Sequence, residues 1–462
     1  MVSFPVRGIV EGFYGRPWSH AERLKIFDFM HAYGMNAYLY APKADPYHRV
    51  EWKVAYPETD MRAFAELVRR ADELGIVFTF ALSPGLSLRY SDPDELDALI
   101  AKYWRFYELG VRSFALLFDD IPVELAHEAD RAAYGRLAAA QADFVTRLYR
   151  RFEAADPTLR LVVCPTIYCG SPDQDYLVEL GATLPGPVDL LWTGPDVCSR
   201  ELTHAHLSAV GSVMRRPPLI WDNYPVNDLG MVPELHIGPY TGRDPALPAV
   251  ARGILANPMN QAEASMLPLA TVAAYLNDPE GYHPERAWRA AAVRLVGEAQ
   301  AEAFAIFAES NTISCLSPGD PPALRALFER FAADRDAARY DVAVDGLAVA
   351  VQRMSAAAAT LQKAMNGDPL LQDMRPWVEE YGHWVTLLSE ALAIHRALLA
   401  LERVGESADG ASQGQALSAA RAALQLRLEA AQFKTRVGGD AIRRFLDETL
   451  RASGPIEATA AA

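Results

Sequence analysis

Leu116-Leu117-Phe118-Asp119-Asp120-Ile121-Pro122 closes an apolar run that begins at Val111 and stops in two adjacent carboxylates. A buried parallel strand reads as a near-continuous hydrophobic run, and in a parallel barrel the C-terminal strand ends carry the chemistry. The stretch therefore reads as a core strand that delivers two acids to a barrel mouth. Aspartates just after strands also serve as helix caps or ion-pair partners, and spacing alone leaves both readings open.

Outward from it, seven further apolar, β-branched runs recur: Val6 to Phe13, Met35 to Ala41, Ile76 to Leu82, Leu159 to Tyr168, Val188 to Trp192, Pro218 to Trp221 and Gly253 to Asn257. Longer amphipathic stretches separate them, such as Asp60 to Leu74 and Asp94 to Leu109, with apolar residues every three or four positions. The alternation predicts an α/β fold, a closed (β/α)8 TIM-like barrel followed by an all-α helical bundle domain. Gly34, Gly75 and Gly110 fall where helices must stop before the second, third and fourth strands. The alternative, an open doubly wound sheet, lacks its Gly-rich fingerprint after the first strand.

Pro and Gly break the pattern at Asn277-Asp278-Pro279-Glu280-Gly281, and the chain beyond is rich in Ala, Leu, Arg and Glu. Helices are predicted over Glu285 to Glu309, Pro321 to Arg339, Asp341 to Met365, Met374 to Leu401, Gln415 to Val437 and Asp440 to Ala452, with a loop from Gly405 to Gly414. The predicted domains are a catalytic barrel over 1–280 and a helical domain over 281–453, with a disordered tail over 454–462.

Of the 462 residues, 51% are hydrophobic and 22% charged, enough for a large core in two or three domains. The net charge of -15, with acids and bases interleaved, argues against nucleic acid or an anionic membrane as the partner. Four scattered cysteines, Cys164, Cys169, Cys198 and Cys315, form neither a disulfide framework nor a metal knuckle, and suggest a reducing compartment. The N-terminus shows no signal-peptide pattern and no window reads as a bilayer span, so the expected location is cytoplasmic. An oligomer is compatible with the sequence.

The expected strand ends are polar and aromatic. They present Glu11-Gly12-Phe13-Tyr14-Gly15, Lys43-Ala44-Asp45, Ser83-Pro84-Gly85, Asp119-Asp120, Tyr168, Trp192-Thr193-Gly194, Trp221-Asp222-Asn223 with Asp228 beyond, and Asn257. Carboxylates and amides suit the hydroxyls of a neutral sugar, while indole and phenol rings suit its apolar face. Each alone has a plainer use: Gly12 as a turn, Lys43 as a surface ion pair, Trp221 as packing, Asn223 and Asn257 as caps. The set, one from nearly every strand end, carries the reading.

Arg7-Gly8-Ile9-Val10-Glu11-Gly12-Phe13-Tyr14-Gly15-Arg16-Pro17-Trp18, Tyr40-Ala41-Pro42-Lys43-Ala44-Asp45-Pro46-Tyr47-His48-Arg49, Asp119-Asp120, Cys164-Pro165-Thr166-Ile167-Tyr168-Cys169-Gly170, Leu191-Trp192-Thr193-Gly194-Pro195 and Trp221-Asp222-Asn223 resemble glycoside hydrolase family 84, which holds the O-GlcNAcases and bacterial β-N-acetylglucosaminidases. The resemblance runs from about Arg7 to Leu276. It implies retaining, exo-acting removal of terminal β-linked N-acetylglucosamine (GlcNAc) through the substrate's own acetamido oxygen, outside the two-carboxylate scheme. It implies that Asp119 orients the acetamido N–H and Asp120 is the general acid and then base. Tyr168 would hydrogen-bond the acetamido carbonyl, Trp221 would wall the pocket for its methyl, and Asn223 would lie beside it. Gly12, through its backbone, and Lys43 would hold the 3-hydroxyl, Asp228 the 4- and 6-hydroxyls, with Asn257 nearby.

The expected substrate is a GlcNAc-bearing glycoprotein, peptide or glycan, with no metal and no organic cofactor. A non-catalytic binder of GlcNAc-modified protein is the first alternative, disfavoured because a lectin has no use for a proton donor. A broader hexosaminidase acting on glycans is the second. One geometric problem stands in the strand itself: successive side chains face opposite sides, so both aspartates reach one site only if the strand ends there. Ile121-Pro122 fits such an ending.

Overall fold

The computed structural model describes residues 3–404 and 408–454. Eight parallel strands close on themselves in chain order: β1 (Val6–Glu11), β2 (Ala37–Tyr40), β3 (Val77–Leu82), β4 (Ser113–Leu117), β5 (Arg160–Cys164), β6 (Asp189–Trp192), β7 (Leu219–Asp222) and β8 (Gly253–Ala256). Closure is set by the register of β1 against β8, with Val6 opposite Gly253 and Ile9 opposite Ala256. Several apolar runs outlast their strands. Phe13 beyond β1, Ala41 beyond β2, Phe118 beyond β4 and Tyr168 beyond β5 carry the chain from the sheet into the mouth.

The helices that follow the strands are α1 (His20–Ala32), α2 (Glu58–Glu73), α3 (Pro93–Glu108), α4 (Glu128–Tyr134), α5 (Leu137–Ala155), α6 (Asp175–Thr183), α7 (His204–Met214) and, after β8, α8 (Ala262–Asn277). Ser19 caps α1 in a capping box with Glu22, and Asp92 caps α3 ahead of Pro93. Gly34, Gly75 and Gly110 take the left-handed backbone expected of them at φ 71°, 68° and 103°. Strand alternation separates two cores. On β4, Ala115 and Leu117 join Val10, Leu39, Val162 and Leu255 inside the barrel, while Phe114 faces outward to Tyr103 of α3 at 4.9 Å between ring centres.

The remaining helices are α9 (Pro284–Val296), α10 (Glu298–Glu309), α11 (Pro322–Asp336), α12 (Tyr340–Ala364), α13 (Pro369–Asp373), α14 (Arg375–Val404), α15 (Ala408–Ala430) and α16 (Ala441–Ala452). The helix expected over 285–309 is two, parted at Gly297, whose φ of 81° suits neither. The helix expected over 415–437 starts earlier, at Ala408, and stops at Ala430. The buried Glu380 of α14 then takes the N–H groups of Thr435 and Val437, both at 3.2 Å, so that stretch is pinned as a loop.

The chain divides into two compact units: Met1–Gly230 with Pro239–Trp288, and Met231–Gly238 with Arg289–Ala462. The 231–238 segment, which the sequence places in the barrel stretch, is grouped with the second unit. There the carbonyl of Pro233 accepts from Trp377 Nε1 at 2.8 Å and from Arg436 N at 2.7 Å. The tail over 454–462 lies outside the described residues except for Gly454.

One expectation is corrected here. Two helical stretches, Tyr340–Gly367 and Arg375–Arg403, are long and apolar enough to cross a membrane by length and composition. In the structure α12 packs against α10, α11 and α14, and α14 against α12, α15 and α16, so residues such as Leu347, Val351 and Leu361 of α12 and Leu388 and Ile394 of α14 serve as bundle core.

Candidate active site

Past Leu117 the backbone of β4 keeps one more sheet bond, from Phe118 N to Cys164 O at 2.9 Å. Asp119 then follows the alternation and turns inward. Asp120 does not continue it: its φ of 55° places it in the left-handed region, and the chain reverses there. That single residue resolves the problem of two adjacent side chains serving one site.

The two carboxylates have different surroundings. Asp119 is buried; Oδ2 pairs with Lys43 Nζ, delivered from the end of β2, and Oδ1 is buried with no hydrogen-bond partner. Asp120 is held by two phenols, Tyr14 Oη donating to Oδ2 at 2.7 Å and Tyr168 Oη donating to Oδ1 at 2.8 Å. Burial first, and then the hydrogen bond and charge of Asp120, raises the pKa of both phenols, with Asp119 adding a smaller push. They stay protonated donors at neutral pH.

The expected site residues fall into two linked groups, one around Asp119 and one around Asp120, which meet where those two aspartates adjoin in the chain. Lys43 Nζ lies 5.5 Å from the centre of the Trp221 ring. Trp221 Nε1 donates to Asn223 Oδ1 at 2.8 Å, and Asn257 Nδ2 donates to the same oxygen at 2.9 Å. Asn257 Oδ1 accepts from Gly12 N at 3.2 Å, and Asp228 Oδ2 accepts from Tyr14 N at 2.7 Å. Burial raises the pKa of Asp228, and the nearby Asp120 adds to it. Gly12 is glycine because a Cβ there would sit 2.2 Å from the Trp221 ring.

Some details differ from the roles drawn from the resemblance. In this structure the Tyr168 hydroxyl engages Asp120, and the Gly12 N–H is directed to Asn257 and Val10. Three strand-end carboxylates turn out to be internal supports. Glu11 forms a bidentate pair with Arg23 at 2.8 Å, Asp222 a bidentate pair with Arg243 at 2.6 and 2.9 Å, and Asp45 accepts from Tyr40 and Tyr56 at 2.7 and 2.6 Å. Two residues of the site stand in the motifs without a role: Tyr14, and Arg49, whose Nη2 donates to the carbonyl of Asp120 at 3.1 Å. Their signal in the sequence is position alone, one in the turn after β1 and the other closing the run that begins at Tyr40.

Among the described residues no group of three or more His, Cys, Asp or Glu is placed to hold a metal. Cys164 lies in the barrel core, where burial pushes its thiol well up.

Known proteins carry the same architecture. The sequence matches the beta-N-acetylglucosaminidase family over residues 7–309. The chain belongs to that family. It is 36% identical over 274 residues to Protein O-GlcNAcase of Rattus norvegicus and, equally, of Mus musculus; the match takes in 58% of this chain and 29% of each relative. The match thus spans under a third of the length of those relatives. Among solved structures, a mutant O-GlcNAc hydrolase of Thermobaculum terrenum is 45% identical with a TM-score of 0.92, covering 97% of this chain and 95% of that one. A second structure, CpGH84B, is 27% identical with a TM-score of 0.83, covering 96% of this chain and 77% of that one. The family read from the motifs at Arg7–Trp18 and Asp119-Asp120 is the family matched.

Proposed function

We propose that this β-N-acetylglucosaminidase family member is a retaining exo-β-N-acetylglucosaminidase that removes terminal β-linked GlcNAc, including O-GlcNAc on protein serine or threonine, by substrate assistance. The observation that carries the reading is the asymmetry of the acid pair. Asp119 has one oxygen neutralised by Lys43 and one buried oxygen unpartnered, an acceptor suited to the acetamido N–H. Asp120 is aimed by Tyr14 and Tyr168.

In the first step the acetamido oxygen attacks the anomeric carbon while Asp119 takes the N–H and so raises the nucleophilicity of that oxygen. The glycosidic C–O bond breaks and its oxygen takes the proton of Asp120. A ring closed through the acetamido oxygen results. In the second step Asp120 takes a proton from water, the water oxygen bonds to the anomeric carbon, and the ring opens with the acetamide restored. Two inversions give net retention, and neither carboxylate bonds to carbon. In this reading Lys43 and Asp228 take sugar hydroxyls with Asn257 nearby, and Trp221 walls the acetamido methyl.

Hydrolysis of aryl β-N-acetylglucosaminides with increasing fluorine on the N-acetyl group tests the reading. A steep fall in rate with fluorination is expected, because fluorine weakens the acetamido oxygen as a nucleophile. A flat series would replace the substrate nucleophile with an enzyme one, and no turnover of any member would overturn the enzyme reading.

A further inference from the structure

Three arginines of the barrel unit, Arg49 and Arg243 buried and Arg23 nearly so, are treated differently by their surroundings. Arg23 and Arg243 each meet a carboxylate through two parallel hydrogen bonds. Arg49 is 7% exposed, yet its guanidinium meets two neutral oxygens: Nη1 donates to Ser83 Oγ at 2.9 Å and Nη2 to the carbonyl of Asp120 at 3.1 Å. Among the described residues no carboxylate oxygen lies within 4.0 Å of it. Burying a cation without a counter-charge is costly, so packing alone gives no reason to keep one there.

The acceptor it meets is the special one. Asp120 is left-handed, an unfavourable state for a residue with a side chain, and its carbonyl has left the ladder of β4. We propose that Arg49 is a positioning residue that fixes the Asp120 peptide so that its carboxyl group meets the leaving oxygen; this rests on the glycosidase reading above.

The loop bearing Arg49 is itself braced. Lys102 of α3 donates to the carbonyls of Tyr47, Trp52 and Val54 at 2.6, 2.8 and 2.7 Å, which bracket Arg49 on both sides. Its ammonium also lies 4.8 Å from the centre of the Tyr56 ring. Ahead of Arg49, Asp45 takes the N–H groups of Tyr47 and His48. The guanidinium thus projects from a fixed frame to the third and fourth strand ends together. Its charge also reaches the Tyr14 phenol that grips Asp120 from the other side.

Arg49→Lys and Arg49→Gln, assayed with aryl β-N-acetylglucosaminides of graded leaving-group ability, test the role. On poor leaving groups kcat should fall about tenfold to hundredfold, the scale of a small misplacement of a reacting group. Good leaving groups need no proton and should lose far less, KM should hardly move, and the lysine variant should recover part of the loss. Equal losses across the series, a change in KM alone, or failure of both variants to fold would overturn the proposal. Wild-type protein inert on the whole series would refute the glycosidase reading; an active wild type with a flat variant profile would refute the role of Arg49 alone.

Discussion

Tyr14, in the turn after β1, donates a hydrogen bond from its phenol to Oδ2 of Asp120 at 2.7 Å, 106 positions along the chain. With Tyr168 on the other oxygen, the acid is aimed from both sides, by parts of the barrel that sequence alone does not bring together. Removing one donor should therefore harm proton delivery and leave sugar binding intact. Tyr14→Phe is expected to lower kcat on poor leaving groups about tenfold or more, the scale of a hydrogen bond to a charged group, with KM near wild type. A variant that changes KM and spares kcat would place Tyr14 in binding.

The two aspartates should separate by substrate. Asp120→Asn is expected to cost roughly 10²- to 10⁴-fold on poor leaving groups, the usual worth of a positioned acid, and little in the first step with good ones. Asp119→Asn should slow both classes, since it weakens the attack itself. Identical leaving-group profiles for the two variants would undo the division of labour.

Gly12 and Trp221 should couple. A methyl group at Gly12 meets the indole ring at 2.2 Å, and the ring is tied through Nε1 to Asn223, so neither side yields freely. Gly12→Ala should lower stability by about 1–3 kcal/mol and weaken sugar binding. In combination with Trp221→Phe the losses should be less than additive, as for residues in contact. Strict additivity in a double-mutant cycle would remove the steric account.

Acid should loosen the helical unit through His395. Its ring is buried between the Tyr340 hydroxyl, 2.7 Å from Nδ1, and Thr449 Oγ1, 2.9 Å from Nε2. Thr449 donates to Phe445 O, so it accepts from Nε2–H and Tyr340 donates to Nδ1. Burial, and then the charge of Arg335, lowers the pKa of His395 from 6.5 to about 4. The unfolded chain takes the proton below its ordinary value and the folded one does not, so stability falls as pH drops from 6.5 to about 4, by on the order of 3 kcal/mol. In denaturant unfolding across that window, His395→Asn should show a shallower dependence by roughly one proton. Unchanged slopes would contradict the assignment.

Chelation is expected to leave the rate unchanged, since every step above uses oxygens and protons of the substrate, of water and of Asp119 and Asp120. Loss of activity with a strong chelator, restored by a divalent ion, would introduce a group absent from this mechanism.

The barrel is legible in the sequence because its signals are local: eight apolar runs, helices of 3.6-residue period and stop glycines at Gly34, Gly75 and Gly110 fix strand, helix and order. The acids are legible for the same reason, a hydrophobic strand ending in charge. Partnership is not. Glu11 and Asp222 look like Asp119 in the sequence, and only the fold assigns them to Arg23 and Arg243. The pinning of 435–437 depends on Glu380, 55 residues before Thr435, and no periodicity reports it. Ile121-Pro122 marks the turn at Asp120 only as a strand ending, because a positive φ on a non-glycine residue leaves no trace in composition.

That left-handed residue also decides which substitution is informative. Asparagine tolerates the same backbone and keeps the shape of the side chain, whereas alanine would add strain to the loss of the acid. Asp120→Asn is accordingly the change that keeps the cradle and slows the turnover. On the reading proposed above, a protein so altered would keep a terminal GlcNAc bound longer than it takes to cleave it, which turns a catalyst into a reagent for capturing that sugar.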